Sequence, residues 1–135
     1  MFRRGFISFL LLLIGGMIYV VFRQDVIFLD HIPLAVLEKI RIEIDYSHCH
    51  WVVYLLVFCL PDALWYAALM IFQIGLYDGA IQSKMTFVFA ASIPFVYETL
   101  QKFATIRGTF DWLDVGSYLL TLIIIVLCQR KQLYL

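Results

Sequence analysis

The sequence predicts an all-α integral membrane helical bundle of about four transmembrane helices, one of them preceded by a Pro-broken segment. Three observations predict it. The 135 residues are 64% hydrophobic, 17% aromatic and only 15% charged, whereas soluble domains carry about 45–50% apolar and about 25% charged residues. The charges gather at the ends of long uncharged runs. Several of those runs approach the roughly 20 residues that cross a hydrocarbon core of about 30 Å at 1.5 Å per residue. The abundance of aromatic and branched residues excludes disorder, and the length allows a single membrane domain over 1–135. Ten Lys and Arg balance ten Asp and Glu, and no basic-aromatic tract offers nucleic acid a phosphate-binding face. Membrane lipids are the expected partners.

The first span is 5–22, eighteen uncharged residues between Arg3-Arg4 and Arg23. A cleaved signal peptide also begins with a basic end, but its apolar stretch is shorter and it closes on small residues; here the exit is Tyr19-Val20-Val21-Phe22. An outer interfacial segment, 23–50, follows. Pro33 suits a first helical turn, and Leu34, Leu37, Glu38 and Arg41 suit a short amphipathic helix on the interface. Ile40, Ile42 and Ile44 alternate instead with charged residues, the period of a half-buried strand. A lone strand has no partner, which favours the helix.

From Trp51 to Tyr77 the chain is apolar but broken by Pro61-Asp62. Proline removes a backbone donor and clashes with the preceding turn, so the expectation is a short apolar lead-in over Trp51 to Leu60 and a membrane helix from about Ala63 to Tyr77; one kinked span is the alternative. Met85 to Tyr97 is uncharged and continues through Glu98 and Gln101, and Val115 to Gln129 is uncharged up to Arg130-Lys131. Four spans put both termini on one side. Arg3, Arg4, Lys84, Arg130 and Lys131 then flank the cytoplasm in short segments, as the positive-inside tendency prefers. The chain is thus expected to be a multi-pass cell-membrane protein with cytoplasmic ends. The segment 23–50, the Pro61 break and the connection from Gln101 to Trp112 face outward.

The polar residues of the last two spans are the candidate site. At 100° per residue, Pro94, Glu98, Gln101 and Thr105 share a helix face, as do Asp111, Asp114, Tyr118 and Thr121. A short turn at Gly108 makes these helices antiparallel neighbours, so the two faces meet with Arg107 between them. Ionisable groups at membrane depth are costly and pair, or serve a pathway or ligand, and an arginine fork matches carboxylate or phosphate. Two roles stay open. Glu98, Gln101 and Arg107 either clamp the helices or, with Asp111 and Asp114, bind a polar head group, anionic and lipid-linked. Asp111 also suits a helix N-cap, with Asp114 a favourable acid in the first turn.

Glu98-x-x-Gln101, then Arg107, then Phe110-Asp111-x-x-Asp114 opening an apolar helix, resembles the signature of the VanZ-like family of small membrane proteins. The matching passage covers about seventeen residues, and the hydrophobic segments extend a looser likeness over 51–135. The family usually places an Asn four residues after the second Asp and a Gly three beyond it, where this chain has Tyr118 and Thr121. Leu60-Pro61-Asp62-Ala63-Leu64-Trp65 is similar to an element of VanZ-related bacterial membrane proteins, and Asp62 either caps the following helix or reaches the Arg107 cluster as an accessory, with Tyr118. The resemblance implies an envelope-related membrane protein and does not imply an enzyme; with the polar cluster, the leading expectation is a small envelope protein that binds a lipid-linked or glycopeptide-like polar group at the outer leaflet. Its founding member is linked to antibiotic resistance, against teicoplanin, a property that fold-level likeness does not transfer.

Other chemistry has little support. In a helix His48 and His50 of His48-Cys49-His50 lie about 200° apart, and with Asp45 and His31 they lack the second half of a metal motif. Cys49, Cys59 and Cys128 cannot all pair internally. No Gly-rich phosphate loop, nucleophile elbow or zinc-protease motif occurs, so no enzyme, metal or cofactor is expected. Trp51, Trp65 and Trp112 fall near the outer boundaries, where amphipathic rings collect. The alternatives to a binding protein are a small transporter or ion- and proton-relay subunit, which with four helices would require homo-oligomers, and a non-catalytic assembly subunit.

Overall fold

A computed structural model describes residues 2–23, 33–42, 50–77, 84–106 and 108–133. Among them the chain is all-helical, with no strand: α1 (Phe2–Phe22), α2 (Leu34–Leu37), α3 (Trp51–Phe58), α4 (Leu60–Tyr77), α5 (Lys84–Lys102) and α6 (Trp112–Leu133). The predicted first span starts earlier than expected, because Arg3 and Arg4 belong to the first turn of α1.

The helix α1 runs antiparallel to α4. Near one end the Arg4 guanidinium donates to the Ile74 carbonyl (3.4 Å); midway the Trp65 indole donates to the Leu12 carbonyl (3.2 Å); at the other end the Tyr19 hydroxyl donates to Asp62 Oδ1 (2.5 Å). Small residues make this close approach sterically feasible, as in membrane helix pairs generally. Ser8 and Gly15 are buried on α1, Ala68 and Gly75 on α4. A Cβ at Gly15 would stand 2.5 Å from Trp65 Nε1 and 3.2 Å from the Pro61 carbonyl oxygen. Trp65 is therefore half-buried in this seam, whereas Trp51 and Trp112 are exposed.

Pro61 sits in the first turn of α4, where its missing donor would have no helical partner, and α3 and α4 are bent by 40° on either side of Cys59. The break thus yields two helices in place of a straight one. The expected interfacial helix is only the four residues of α2, anchored by Leu37, 3% exposed, against Tyr19, Val20 and Trp65. Ile42 donates its N–H to the Val21 carbonyl (2.8 Å), so this segment returns to the end of α1; Ile44 lies outside the described residues.

Pro94 interrupts the ladder of α5 and leaves the Ala90 carbonyl without its usual donor; on the next residue, Ala91, the carbonyl accepts the Tyr66 hydroxyl from α4 (2.9 Å). The helix stops at Lys102 in a Schellman motif. Thr105 N–H bonds to the Leu100 carbonyl (3.0 Å), Ala104 N–H to that of Gln101 (2.9 Å), and Ala104 takes φ 51°. Thr105 therefore lies past the helix end, exposed, and does not continue the Glu98 face as predicted.

These contacts set α1, α4, α5 and α6 in alternating directions around a core of Tyr66, Met70, Ile74, Tyr118 and Ile125, with Phe87 and Phe95 packed against it. One helix, α1, is long and apolar enough to cross a membrane, and the bent pair α3 and α4 meets the same criterion jointly. The apolar part of α6 is shorter, Trp112–Cys128, and α5 carries Lys84, Glu98 and Lys102.

Candidate functional site

At one end of the bundle α1 ends, α4 begins, α5 ends and α6 begins, and between them lies a cavity of about 600 Å³. Each element contributes for a local reason. Tyr19 and Arg23, four residues apart, lie one helical turn from each other at the exit of α1. Tyr54 and Phe58 stack on α3 at 4.5 Å between ring centroids. From α4 come Asp62, in its first turn, and Trp65; from α5, Tyr97, Glu98 and Gln101; from the start of α6, Asp111, Asp114 and Tyr118.

Four carboxylates thus reach one chamber. Asp62 accepts from Tyr19 and lies 3.9 Å from Arg23 through its second oxygen. The Arg23 guanidinium is also 4.6 Å from the Tyr19 ring centroid and 5.2 Å from that of Phe58. Glu98, 4% exposed, accepts the Asp111 N–H through Oε2 (3.3 Å). Asp111 in turn accepts the Leu113 N–H (2.8 Å), the geometry of an N-cap. One face of the chamber is closed by Tyr118, whose ring meets Tyr66 and Phe95 edge-on at 5.6 and 6.1 Å.

Of the predicted residues, Glu98, Gln101, Asp111 and Asp114 line the cavity together with both accessories, Asp62 and Tyr118. Arg107 lies outside the described residues, as do His31, Asp45, His48 and Cys49. Thr121 does not share the chamber with Asp114. It lines a second, apolar groove of about 820 Å³ on other faces of α4 and α6, with Ala63, Ala67, Leu113 and Ile124. Gln101 packs against Gly108, which has φ 126° and no room for a Cβ, so the loop requires glycine there. No group of three His, Cys, Asp or Glu among the described residues is placed to hold a metal ion.

Sequence reasoning missed Tyr19, Arg23 and Tyr54. The one available signal was the i, i+4 spacing of Tyr19 and Arg23, a ring and a cation on one face at the end of a span. Comparison with protein-family signatures, with curated proteins and with solved structures finds no match to this chain. The chemistry therefore rests on the chamber. It offers carboxylate oxygens as acceptors, tyrosine hydroxyls that donate and accept, and aromatic faces, a set suited to holding a polar organic group.

Proposed function

We propose that the chain is a VanZ-like, envelope-related membrane protein of four spans, with both termini cytoplasmic, that binds the polar part of a lipid-linked or glycopeptide-like molecule in a chamber at the outer leaflet. One observation carries the reading: carboxylates from three different helices, Asp62, Glu98 and Asp114, converge on a single cavity with Asp111 at its edge. A clamp needs a partner for each acid, and a cavity of this size exceeds what a clamp needs. The four-span topology is supported by the alternating directions of α1, α4, α5 and α6, and by Arg3, Arg4 and Lys84 lying at the end opposite the carboxylates. Outward faces rich in large apolar side chains, such as Phe89 and Leu120, suit lipid better than water.

The test uses the full chain in phosphatidylglycerol nanodiscs and a polyprenyl-linked disaccharide peptide as probe. Saturable binding that Asp114→Asn weakens, with the fold unchanged by circular dichroism, supports the reading. Its absence overturns it. A second reading, a proton or cation relay, is favoured by the burial of Glu98 alone. It requires pH-dependent flux in proteoliposomes that Glu98→Gln abolishes, and a flat response eliminates it.

A further inference from the structure

The chamber's charge and its aromatic walls specify what kind of polar group it takes. Among the described residues, four carboxylates face it and Arg23 is the one cation lining it. A phosphate or diphosphate entering this space meets like charge, which disfavours binding. The walls add a second feature. Tyr19, Tyr54, Phe58 and Trp65 surround the same space, and aromatic faces attract organic cations through their quadrupoles, Trp and Tyr most strongly.

The niche already holds one cation of the chain itself. The chain's own Arg23 guanidinium lies over the Tyr19 and Phe58 rings while approaching Asp62. A guanidinium held between aromatic faces and a carboxylate is the arrangement an ammonium would adopt. Asp62, Glu98 and Asp111 are engaged by Tyr19 and Arg23, by the Asp111 N–H and by the Leu113 N–H. The Asp114 carboxylate accepts no hydrogen bond from any described residue. It is the acid left to a ligand. The rings also argue for an organic cation over a hard metal ion, which takes a shell of oxygen ligands.

We infer that the group bound in this chamber carries an ammonium, held by Asp114 in the space that Tyr54 and Trp65 help to line, and that phosphate-bearing groups stay outside. The inference rests on the binding role proposed above and names the chemistry of its ligand. An amino sugar or peptide amine supplies such a group, and so does an ethanolamine lipid.

The test places the full chain, with Trp51→Phe and Trp112→Phe, in phosphatidylglycerol nanodiscs, which offer no competing ammonium. Trp65 is then the single tryptophan and reports on the chamber. Glucosamine is titrated beside N-acetylglucosamine, which has the same ring without the charge, and beside inorganic phosphate. In a separate arm phosphatidylethanolamine is added to the nanodiscs. The expected result is saturable quenching by glucosamine with a Kd about tenfold or more below that of the acetylated sugar. Asp114→Asn should remove that preference while leaving thermal unfolding unchanged. A Trp65 response to phosphatidylethanolamine that also blocks glucosamine assigns the ammonium to a lipid head group, and glucosamine binding unaffected by it assigns a soluble or glycan-borne amine. Equal binding of both sugars overturns the ammonium while leaving the polar-group reading intact, as does displacement of glucosamine by phosphate. Silence from both sugars and the lipid overturns both.

Discussion

Tyr19, at the end of the first helix, and Asp62, at the start of the fourth, are joined by a hydroxyl-to-carboxylate hydrogen bond across 43 positions of sequence. The bond ties the α1 to α4 seam to the chamber wall, because both residues line the cavity. Removing one partner strands the other in a half-buried place. Tyr19→Phe is therefore expected to lower stability by about 1–3 kcal/mol. A double-mutant cycle with Asp62→Asn, read by denaturant or thermal unfolding in detergent, should give a coupling of about 0.5–3 kcal/mol. Strict additivity would show that the pair contributes nothing.

Gly15→Ala tests the close approach of the same two helices. The added Cβ meets the Trp65 ring and the Pro61 carbonyl, so the seam must open, at about 1–3 kcal/mol. Gly16→Ala, with nothing within 4 Å of its Cβ, should be neutral or slightly stabilising, since alanine is the better helix former. Equal effects of the two substitutions on unfolding temperature would contradict the packing.

Ala104 occupies the left-handed position that ends α5, a conformation costing a residue with a Cβ about 1–2 kcal/mol. Ala104→Gly should recover about 1 kcal/mol and raise the unfolding temperature. An unchanged or lower temperature would mean that this terminus is not fixed as described.

Thr109 lines the chamber at the proposed outer face. With the native cysteines replaced, Thr109→Cys in intact cells should react with a membrane-impermeant maleimide added from outside. Protection until the membrane is opened would invert the topology.

The parts of the fold written in local sequence were legible. The uncharged run after Arg4 gave α1, and Pro61 gave the break before α4. The spacing of Glu98, Gln101, Asp111 and Asp114 placed those four at one cavity, and the N-cap role of Asp111 followed from its place before an apolar helix. Thr105 and Thr121 were misplaced because a helical wheel carries a face onward indefinitely, whereas α5 stops at Lys102 and the partners around α6 change after its first two turns. Tyr19, Arg23 and Tyr54 could not be found by spacing within the last two helices. They arrive through the packing of α1 and α3, contacts spanning scores of residues that no local period records. The fate of Asp62, cap or cluster member, was likewise decided by a tyrosine elsewhere in the chain.

On the four-span reading, the hydrogen bonds of the chamber bear on how such a chain would enter a bilayer. Asp62 is compensated by Tyr19 and Arg23, all from the first half of the sequence, and Glu98 by the backbone of Asp111, both from the second. An unpaired carboxylate is expensive in hydrocarbon. On that reading, Asp62 and Glu98 would each enter with a partner from the same half of the chain, whereas Asp114 would find its surroundings only where the two halves meet.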